Sequence, residues 1–443
     1  MSQKRFVPIS AFMIALVFAS PVGATASLEP STSLPNLTDL FHQLDARLPH
    51  GDYRIPSLVT TRSGTLLALI AGRFHRTDIT PNIIYMRRSV DSGATWSVAV
   101  PILSDPANHT MYSGAPVVDP TTGKIHFIFS ASHFRHCDGC PLHITTSGDD
   151  GMTWSTPAPL TVHGPANATW GGPLASGIAL TTGPHAGRLL VALRHDCGCG
   201  TLRTSFAVYS DDHGASWTGG AEMVLLPQYG GGWTECQVAE LRASAGLDPS
   251  TSEMFATALP CLSPCLLTRE VDGRTPLCAD NGSVLLASRN FYGRSSGQGP
   301  RLFARSDDGG ATWAANWSAG SDLPGPYCEA SVTSDVASGD VYLLNPSSHR
   351  RENFSVHVSG DGGHTWPRSD ILYPGAAAYS DVTWTREGAL GFVFERDDYN
   401  TVAFGVWRPP EPAKVSRQLH VPYFSPAGGD ARRLGVARRA HDR

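Results

Sequence analysis

The 443-residue chain carries 34 Lys and Arg against 39 Asp and Glu, a formal charge of −5, with 16% of its residues charged; without a basic surplus, nucleic acid is excluded as an expected partner. Its 45 Gly and 33 Pro exclude a helical bundle, since both residues break helices and punctuate turns. A 41% hydrophobic content excludes a long disordered chain, and the balance predicts many short strands joined by Gly-rich turns.

The chain opens with Lys4 and Arg5, an apolar stretch from Phe6 to Phe18, and Ala24-Thr25-Ala26, the layout of a secretory signal with a small-residue cleavage site. Residues 1–26 are therefore expected to be a cleaved signal peptide, 27–49 a lead-in, 50–412 one domain and 413–443 a basic tail. The stretch is short for a membrane span and contains Pro8, and no later segment has the run of apolar residues a stable span needs. The expected location is outside the cell or in the endomembrane lumen. Six N-x-[ST] sequons, at Asn36, Asn108, Asn167, Asn281, Asn316 and Asn353, are acceptors for glycosylation there.

Further along, Tyr53-Arg54-Ile55-Pro56 opens a strand-like run ending at Val59. The apolar run Leu66–Gly72 ends in Arg73, and Asp78 follows in a polar loop. The pattern S-x-D-x-G-x-[TS]-W then recurs five times, starting at Ser89, Ser147, Ser210, Ser306 and Ser359. Each copy follows a strand-like run: Ile83–Met86, Leu142–Thr145, Ser205–Tyr209, Arg301–Ala304 and Ser355–Val358. The Asp can accept hydrogen bonds from its own turn, the Gly can take positive φ, and the Trp can cover the neighbouring hairpin. Each copy is thus expected to cap a hairpin, a structural role. One sheet per repeat, arranged radially, makes a β-propeller.

Nine cysteines are present, an odd number, and export favours disulfides among most of them. His133, His136, Cys137, Cys140 and His143, and separately His195, Cys197 and Cys199, also have zinc-type donors. Disulfides are the preferred reading, and no metal is expected. After a Cys- and Pro-containing insert at 243–280, the run Ser283–Ser288 ends in Arg289. Arg351 leads into Phe354–His357, Tyr379 stands in Ala378-Tyr379-Ser380-Asp381-Val382, and Leu390–Phe394 ends in Glu395. From Lys414 onward, seven basic residues face two acidic ones, consistent with a flexible tail.

The five repeats together with Tyr53-Arg54-Ile55-Pro56 resemble the Asp-boxes (BNR repeats) and F/Y-R-I-P motif of exo-α-sialidases (neuraminidases), over residues 50–408. The resemblance implies an all-β fold, a six-bladed β-propeller, with its site at one end of the axis and the Asp-boxes away from it. It implies that Arg54, Arg289 and Arg351 clamp a substrate carboxylate, with Arg350 as a one-residue rival for Arg351. Arg is suited to that task by its planar donor fork. Arg73 and Asp78 resemble an additional pocket Arg and the acid/base Asp, a carboxyl whose pKa a closed pocket would raise. Tyr379 resembles the nucleophile. A phenol titrates near 10 and needs a base, and Glu235 matches that role, with Glu240 on the same strand as its rival. Glu395 resembles the partner of the first clamp Arg. The implied activity is retaining hydrolysis of terminal α-linked sialic acids from glycoproteins, glycolipids or oligosaccharides, with no metal or organic cofactor. A trans-sialidase and a non-catalytic sialic-acid-binding propeller are the alternatives; the presence of Tyr379, Glu235 and Asp78 disfavours the latter.

Overall fold

The computed structural model describes residues 34–45, 51–78, 80–104, 110–132, 141–164, 172–195, 204–223, 232–242, 282–290, 300–313 and 315–410. The chain divides after Arg408, and the strands all belong to the unit before that point. The signal segment, the 243–280 insert, the tail, seven of the nine cysteines and the sequons at Asn108, Asn167 and Asn281 lie outside the described residues.

Among the described residues the chain forms 24 strands in six blades: the third has five strands, the others have four, and one long strand is shared by the fifth and sixth. β1 (Leu37–His42) belongs to the last of them. β2 (Asp52–Thr60), β3 (Leu66–Arg73), β4 (Asn82–Ser89) and β5 (Val100–Ser104) form the first blade. β6 (Thr110–Val118), β7 (Ile125–Ser132), β8 (Leu142–Ser147) and β9 (Ala158–Pro159) form the second. In the third, β10 (Val162–His163) runs parallel to β14 (Trp217–Gly219) and extends the set β11 (Ile178–Ala179), β12 (Leu189–His195), β13 (Thr204–Ser210) and β14. The fourth contains β15 (Trp233–Glu240), β16 (Val284–Asn290), β17 (Leu302–Ser306) and β18 (Ala315–Ser318). The fifth contains β19 (Ser331–Ser334), β20 (Val341–Pro346), β21 (Glu352–Ser359) and the first half of the long β22 (Arg368–Trp384). The second half of β22 opens the sixth blade, with β23 (Leu390–Arg396), β24 (Thr401–Trp407) and β1.

The first strand of each blade lies innermost. β2 packs on β6, β6 on β11, β11 on β15, β15 on β19, β19 on β22 and β22 back on β2, closing a ring. The fold is a β-propeller. β1 pairs with β24, so a strand from the segment expected merely to lead into the domain completes its last sheet. The domain therefore begins before residue 50. Pairing β1 with β24 covers the edge that β24 would otherwise leave open and ties the first strand to the last.

The core lies between blades. Leu67, Leu69 and Met86 of the first blade meet Phe127 and Phe129 of the second. Val117 and Ile128 of the second meet Val191, Phe206 and Trp217 of the third. Strand runs buried on both faces, such as Leu66–Ala71, read as unbroken apolar sequence because each blade is covered by two neighbours.

All five Asp-boxes close the turn after the third strand of a blade. In the first, Ser89 Oγ accepts from Gly93 N (2.8 Å) and donates to Asp91 Oδ1 (2.8 Å), while Asp91 accepts from Thr95 N (2.9 Å) and Thr95 Oγ1 (2.6 Å). The same set recurs at Asp149, Asp212, Asp308 and Asp361. Hydrogen bonds from Thr153 and Ser216 hold the carboxyls of Asp149 and Asp212 down at about 2. Gly93 has φ +92°, and a Cβ there would lie 2.0 Å from the Phe404 ring, so only glycine fits.

Strand alternation sorts the residues by end. A turn after strand three lies at the finish of strands one and three. The starts of strands one and three, and the finish of strand two, lie at the opposite end. Arg54 and Glu235 stand at the start of a first strand, and Tyr379 where β22 begins its pairing with β23. Arg73, Arg289 and Glu395 stand at the finish of a second strand. Arg351 immediately precedes a third strand. All therefore share the end away from the Asp-boxes.

Candidate active site

Three of these residues stand at the same irregularity. On β2 the pairing slips between Arg54 and Ser57, on β15 between Trp233 and Cys236, and on β22 between Ala377 and Ser380. In each case the inner strand gains one residue on its partner, a β-bulge, which re-aims side chains at the mouth of a sheet. At the first bulge Pro56 has no N–H for the ladder, and Ile55 takes φ +62°, a strained conformation for a β-branched residue. The Ile55 N–H is held by Glu395 Oε1 at 2.7 Å.

Glu395 is fully buried and ties two bulges together. Its Oε1 also accepts from Arg54 Nε (2.7 Å), and its Oε2 accepts from Tyr379 N (3.2 Å). The Tyr379 hydroxyl donates to Glu235 Oε1 (2.6 Å) and accepts from Arg289 Nη1 (2.6 Å). Arg289 Nη1 also pairs with Glu235 Oε2. Around the Tyr379 ring stand three guanidiniums: Arg54 at 5.4 Å, Arg351 at 5.4 Å and Arg289 at 6.0 Å from the centroid. The structure thus brings together Arg54, Glu235, Arg289, Arg351, Tyr379 and Glu395 from four blades.

The two rivals are separated by the fold. Arg350 is exposed, while Arg351 donates to the Tyr399 hydroxyl (2.8 Å) and the Tyr327 carbonyl (2.9 Å). Glu240 lies at the far finish of β15, where its carboxylate accepts from the backbone and hydroxyl groups of Thr181 and Thr182 and staples the neighbouring blade.

Asp78 stands apart. It was expected in a closed pocket, but its side chain is 81% exposed, bound to buried Arg73 Nη1 at 3.0 Å. The loop from Phe74 to Asp78 is open to water, and among the described residues nothing covers the carboxyl.

Four participants were not anticipated. Arg194, at the end of β12, reaches Glu235 Oε1 at 3.4 Å. Tyr327 lies face-on to Arg289 at 3.3 Å, and Tyr399 stacks on Arg54 at 4.3 Å. Asp52 is buried near Arg73 and Arg54; burial raises its pKa, and the two cations oppose the rise. A signal for Arg194 existed: Leu189–Leu193 ends in Arg as the runs before Arg73 and Arg289 do. Tyr399 had none. It follows Asp397 and Asp398 in a turn where all three take positive φ (69°, 55° and 54°), which only the folded loop reveals.

Burial would raise the Glu235 pKa, but Arg289, Arg194 and the Tyr379 hydroxyl outweigh it and hold the carboxyl below its usual range. Tyr379 is the converse. Burial, then the Glu235 charge, push its phenol well above 10, against Arg289 and Arg351. The phenol is therefore protonated at rest, with an ionised carboxylate positioned to take the proton. Arg54, Arg194, Arg289 and Arg351 face two carboxylates, Glu235 and Glu395. The site holds more positive than negative charge and is suited to an anion.

One further carboxylate serves the ring. Asp381 accepts from Leu58 N (2.9 Å), Ser176 N (3.0 Å), Ser176 Oγ (3.0 Å), Gln237 Nε2 (2.7 Å) and Val382 N (2.9 Å), joining four blades at the axis. Burial pushes its pKa up to about 6, against those donors. Among the described residues no cluster of His, Cys, Asp and Glu could hold a metal, and Cys236 and Cys328 are buried free thiols.

Comparison with known proteins bears on this geometry. A family profile described as a BNR repeat-like domain matches residues 58–250. A sialidase of Micromonospora viridifaciens is 30% identical over 414 residues, 85% of this chain and 55% of its own length. The chain is similar to sialidases with BNR repeats over most of its length. Human sialidase-4 is 30% identical over 235 residues, 46% of each chain, and the chain spans about half the length of these curated relatives. Among solved structures, a Hadza microbial sialidase aligns with TM-score 0.62 at 23% identity, covering 81% of this chain and 66% of its own. The intramolecular trans-sialidase from Ruminococcus gnavus, in complex with oseltamivir carboxylate, aligns with TM-score 0.57 at 17% identity, covering 83% and 96%. At those identities the likeness is one of fold.

Proposed function

We propose that this chain is a secreted exo-α-sialidase that removes terminal α-linked sialic acids with retention of configuration. One observation carries the reading: a buried phenol, bonded to a carboxylate held in its basic form, ringed by three guanidiniums from different blades. A sialic acid has a carboxylate on its anomeric carbon. Arg54, Arg289 and Arg351 would hold that carboxylate and set the anomeric carbon over Tyr379.

As the Tyr379 oxygen attacks, Glu235 takes its proton, and Asp78 protonates the departing glycosidic oxygen. The result is a sugar bound covalently to Tyr379. Asp78 then takes a proton from water, the water oxygen attacks the anomeric carbon, and the phenolate leaves and recovers its proton from Glu235. Two inversions give net retention. A neutral nucleophile is favoured here because a carboxylate would be repelled by the substrate's own. The open position of Asp78 fits an entry point, where a bound aglycone would cover the carboxyl and remove its water.

Tyr379→Phe tests the reading: release of sialic acid from an α-sialoside should nearly vanish. Proton NMR of the wild-type reaction should show the α-anomer of the free sugar first. Full activity of Tyr379→Phe, or the β-anomer appearing first, refutes it. An acceptor sugar added to the same reaction separates hydrolysis from transfer. Export is proposed from the first 26 residues and the sequons, of which Asn36 is exposed on the propeller.

A further inference from the structure

Tyr399 touches two of the three guanidiniums around Tyr379, and those two come from different blades. It stands in the turn 397–400 between β23 and β24 of the sixth blade, at the end of the propeller that carries Tyr379. Asp397, Asp398 and Tyr399 are successive non-glycine residues at positive φ, a conformation that L-residues adopt singly and at a cost. The turn is held from both sides. Asp397 N donates to the Ala376 carbonyl (2.9 Å) on β22, and Asn400 N returns to the Asp397 carbonyl (3.1 Å). Gln43, just after β1, donates through Nε2 to the Tyr399 carbonyl (3.3 Å) and through its backbone N to the Asn400 carbonyl (3.1 Å). Strain of this kind persists only where the surroundings fix it, and it gathers at functional sites. Here it places one phenol ring.

The Arg54 guanidinium lies 4.3 Å over that ring, and Arg351 Nη1 donates to its hydroxyl at 2.8 Å. The other anchors are Glu395 Oε1 for Arg54 Nε and the Tyr327 carbonyl for Arg351 Nη2. Each guanidinium is therefore held at two points, and Tyr399 supplies one of them for both. Arginine has a large rotamer freedom, so its planar donor fork recognises an anion well only when the plane is fixed. The kind of side chain matters too. Arg351 is bound by a carbonyl and a hydroxyl, and among the described residues no carboxylate pairs with it. A phenol orients one cation with its ring face and another with its oxygen, and leaves both charges available to an anion; Asp or Glu in its place would neutralise them.

We propose that Tyr399 is the positioning residue of the clamp, setting the Arg54 and Arg351 guanidiniums relative to one another for a substrate carboxylate. The inference rests on the reading that Arg54, Arg289 and Arg351 hold that carboxylate, and adds the device that aligns two of them.

The test is steady-state kinetics of the full-length chain on fluorogenic aryl α-glycosides of N-acetylneuraminic acid and of its deaminated 5-hydroxy analogue, using whichever reacts faster. Wild type is compared with Tyr399→Phe, Tyr399→Leu, Arg351→Leu and the double variant Arg351→Leu/Tyr399→Phe. Tyr399→Phe keeps the ring on Arg54 and removes one oxygen. The carboxylate is held alike in the ground state and the transition state, so KM should rise about five- to tenfold with kcat within about threefold. Tyr399→Leu also loses the ring face, and its KM should rise further. In the Arg351→Leu background, Tyr399→Phe should change kcat/KM by less than about twofold, because the hydroxyl has lost the group it acts through. A merely structural role would repeat its full loss in both backgrounds. The proposal is overturned by that repetition, by wild-type KM in both Tyr399 variants, or by a fall in kcat in place of the rise in KM. Wild type that hydrolyses neither glycoside sinks the sialidase reading and this one with it; active wild type with unchanged Tyr399 variants sinks this one alone.

Discussion

Replacing Glu235 by Gln preserves the shape of the side chain and removes only its charge and its ability to take a proton. Tyr379 keeps a hydrogen-bond acceptor, so the phenol can remain in place. It loses the base 2.6 Å from its hydroxyl, while burial still holds its proton well above neutral pH. General-base catalysis contributes about 10²–10⁴ in rate, so kcat/KM on an α-sialoside should fall by that factor, about 2.7–5.4 kcal/mol on the barrier. With the amide oxygen kept toward Tyr379 and Arg194, the new N–H₂ must face Arg289, and both arginines are left without their counter-charge. Breaking a buried ion pair by removing one partner costs about 3–5 kcal/mol, so denaturant unfolding should show a loss of that order, with a folded protein remaining. The control is Glu240→Gln on the same strand. Among the described residues its carboxylate bonds to Thr181 and Thr182 at the opposite end, so kcat/KM should stay within about threefold while stability drops by about 1–3 kcal/mol. If Glu235→Gln keeps wild-type kcat/KM, or Glu240→Gln falls as far, the assignment of the base is wrong.

Asp78→Ala should depend on the leaving group: a loss of about 10²–10⁴ on a sialyl sugar, whose alkoxide needs a proton, and much less on an aryl α-sialoside. Equal losses on both substrates would remove Asp78 from the acid role. Arg194→Leu withdraws a positive charge that helps hold the Glu235 pKa down. The carboxyl must be ionised to act, so the acid limb of the kcat/KM profile should move to higher pH; an unmoved or lowered limb contradicts the coupling. Asp381→Asn leaves one oxygen to serve donors from four blades and turns an N–H₂ toward them, and should lower unfolding free energy by about 3 kcal/mol or more in a denaturant titration. A change below about 1 kcal/mol would show that the axis does not rely on that carboxylate.

The amino-acid sequence was sufficient for the repeat and its role. Each Ser-x-Asp-x-Gly turn is closed by bonds among residues within four positions of one another, so local spacing contains the whole structure. The positions of Arg54, Arg289 and Glu395 were legible because each ends or begins an apolar run, and alternating strands send such positions to one end of the sheet; Tyr379 was legible only through the resemblance of Tyr379-Ser380-Asp381-Val382 to a sialidase motif. Neither the open setting of Asp78 nor the use of Leu37–His42 to complete the last blade could be read this way. The first depends on what covers a loop, the second on which distant strand is left with a free edge.

The assembled site likewise required the fold. Glu235 and Tyr379 are 144 residues apart, and Arg54 and Glu395 are 341 apart, yet both pairs are in hydrogen-bond contact. One-residue bulges on β2, β15 and β22 help orient these groups, and a bulge is fixed by the pairing of two strands rather than by either strand alone. Local sequence determined which residues could do chemistry, because turn and strand preferences act over a few residues. Closing the ring determined which of them meet, and how far burial and neighbouring charge move their protons, because those forces act between groups that only the packed blades bring within a few ångströms.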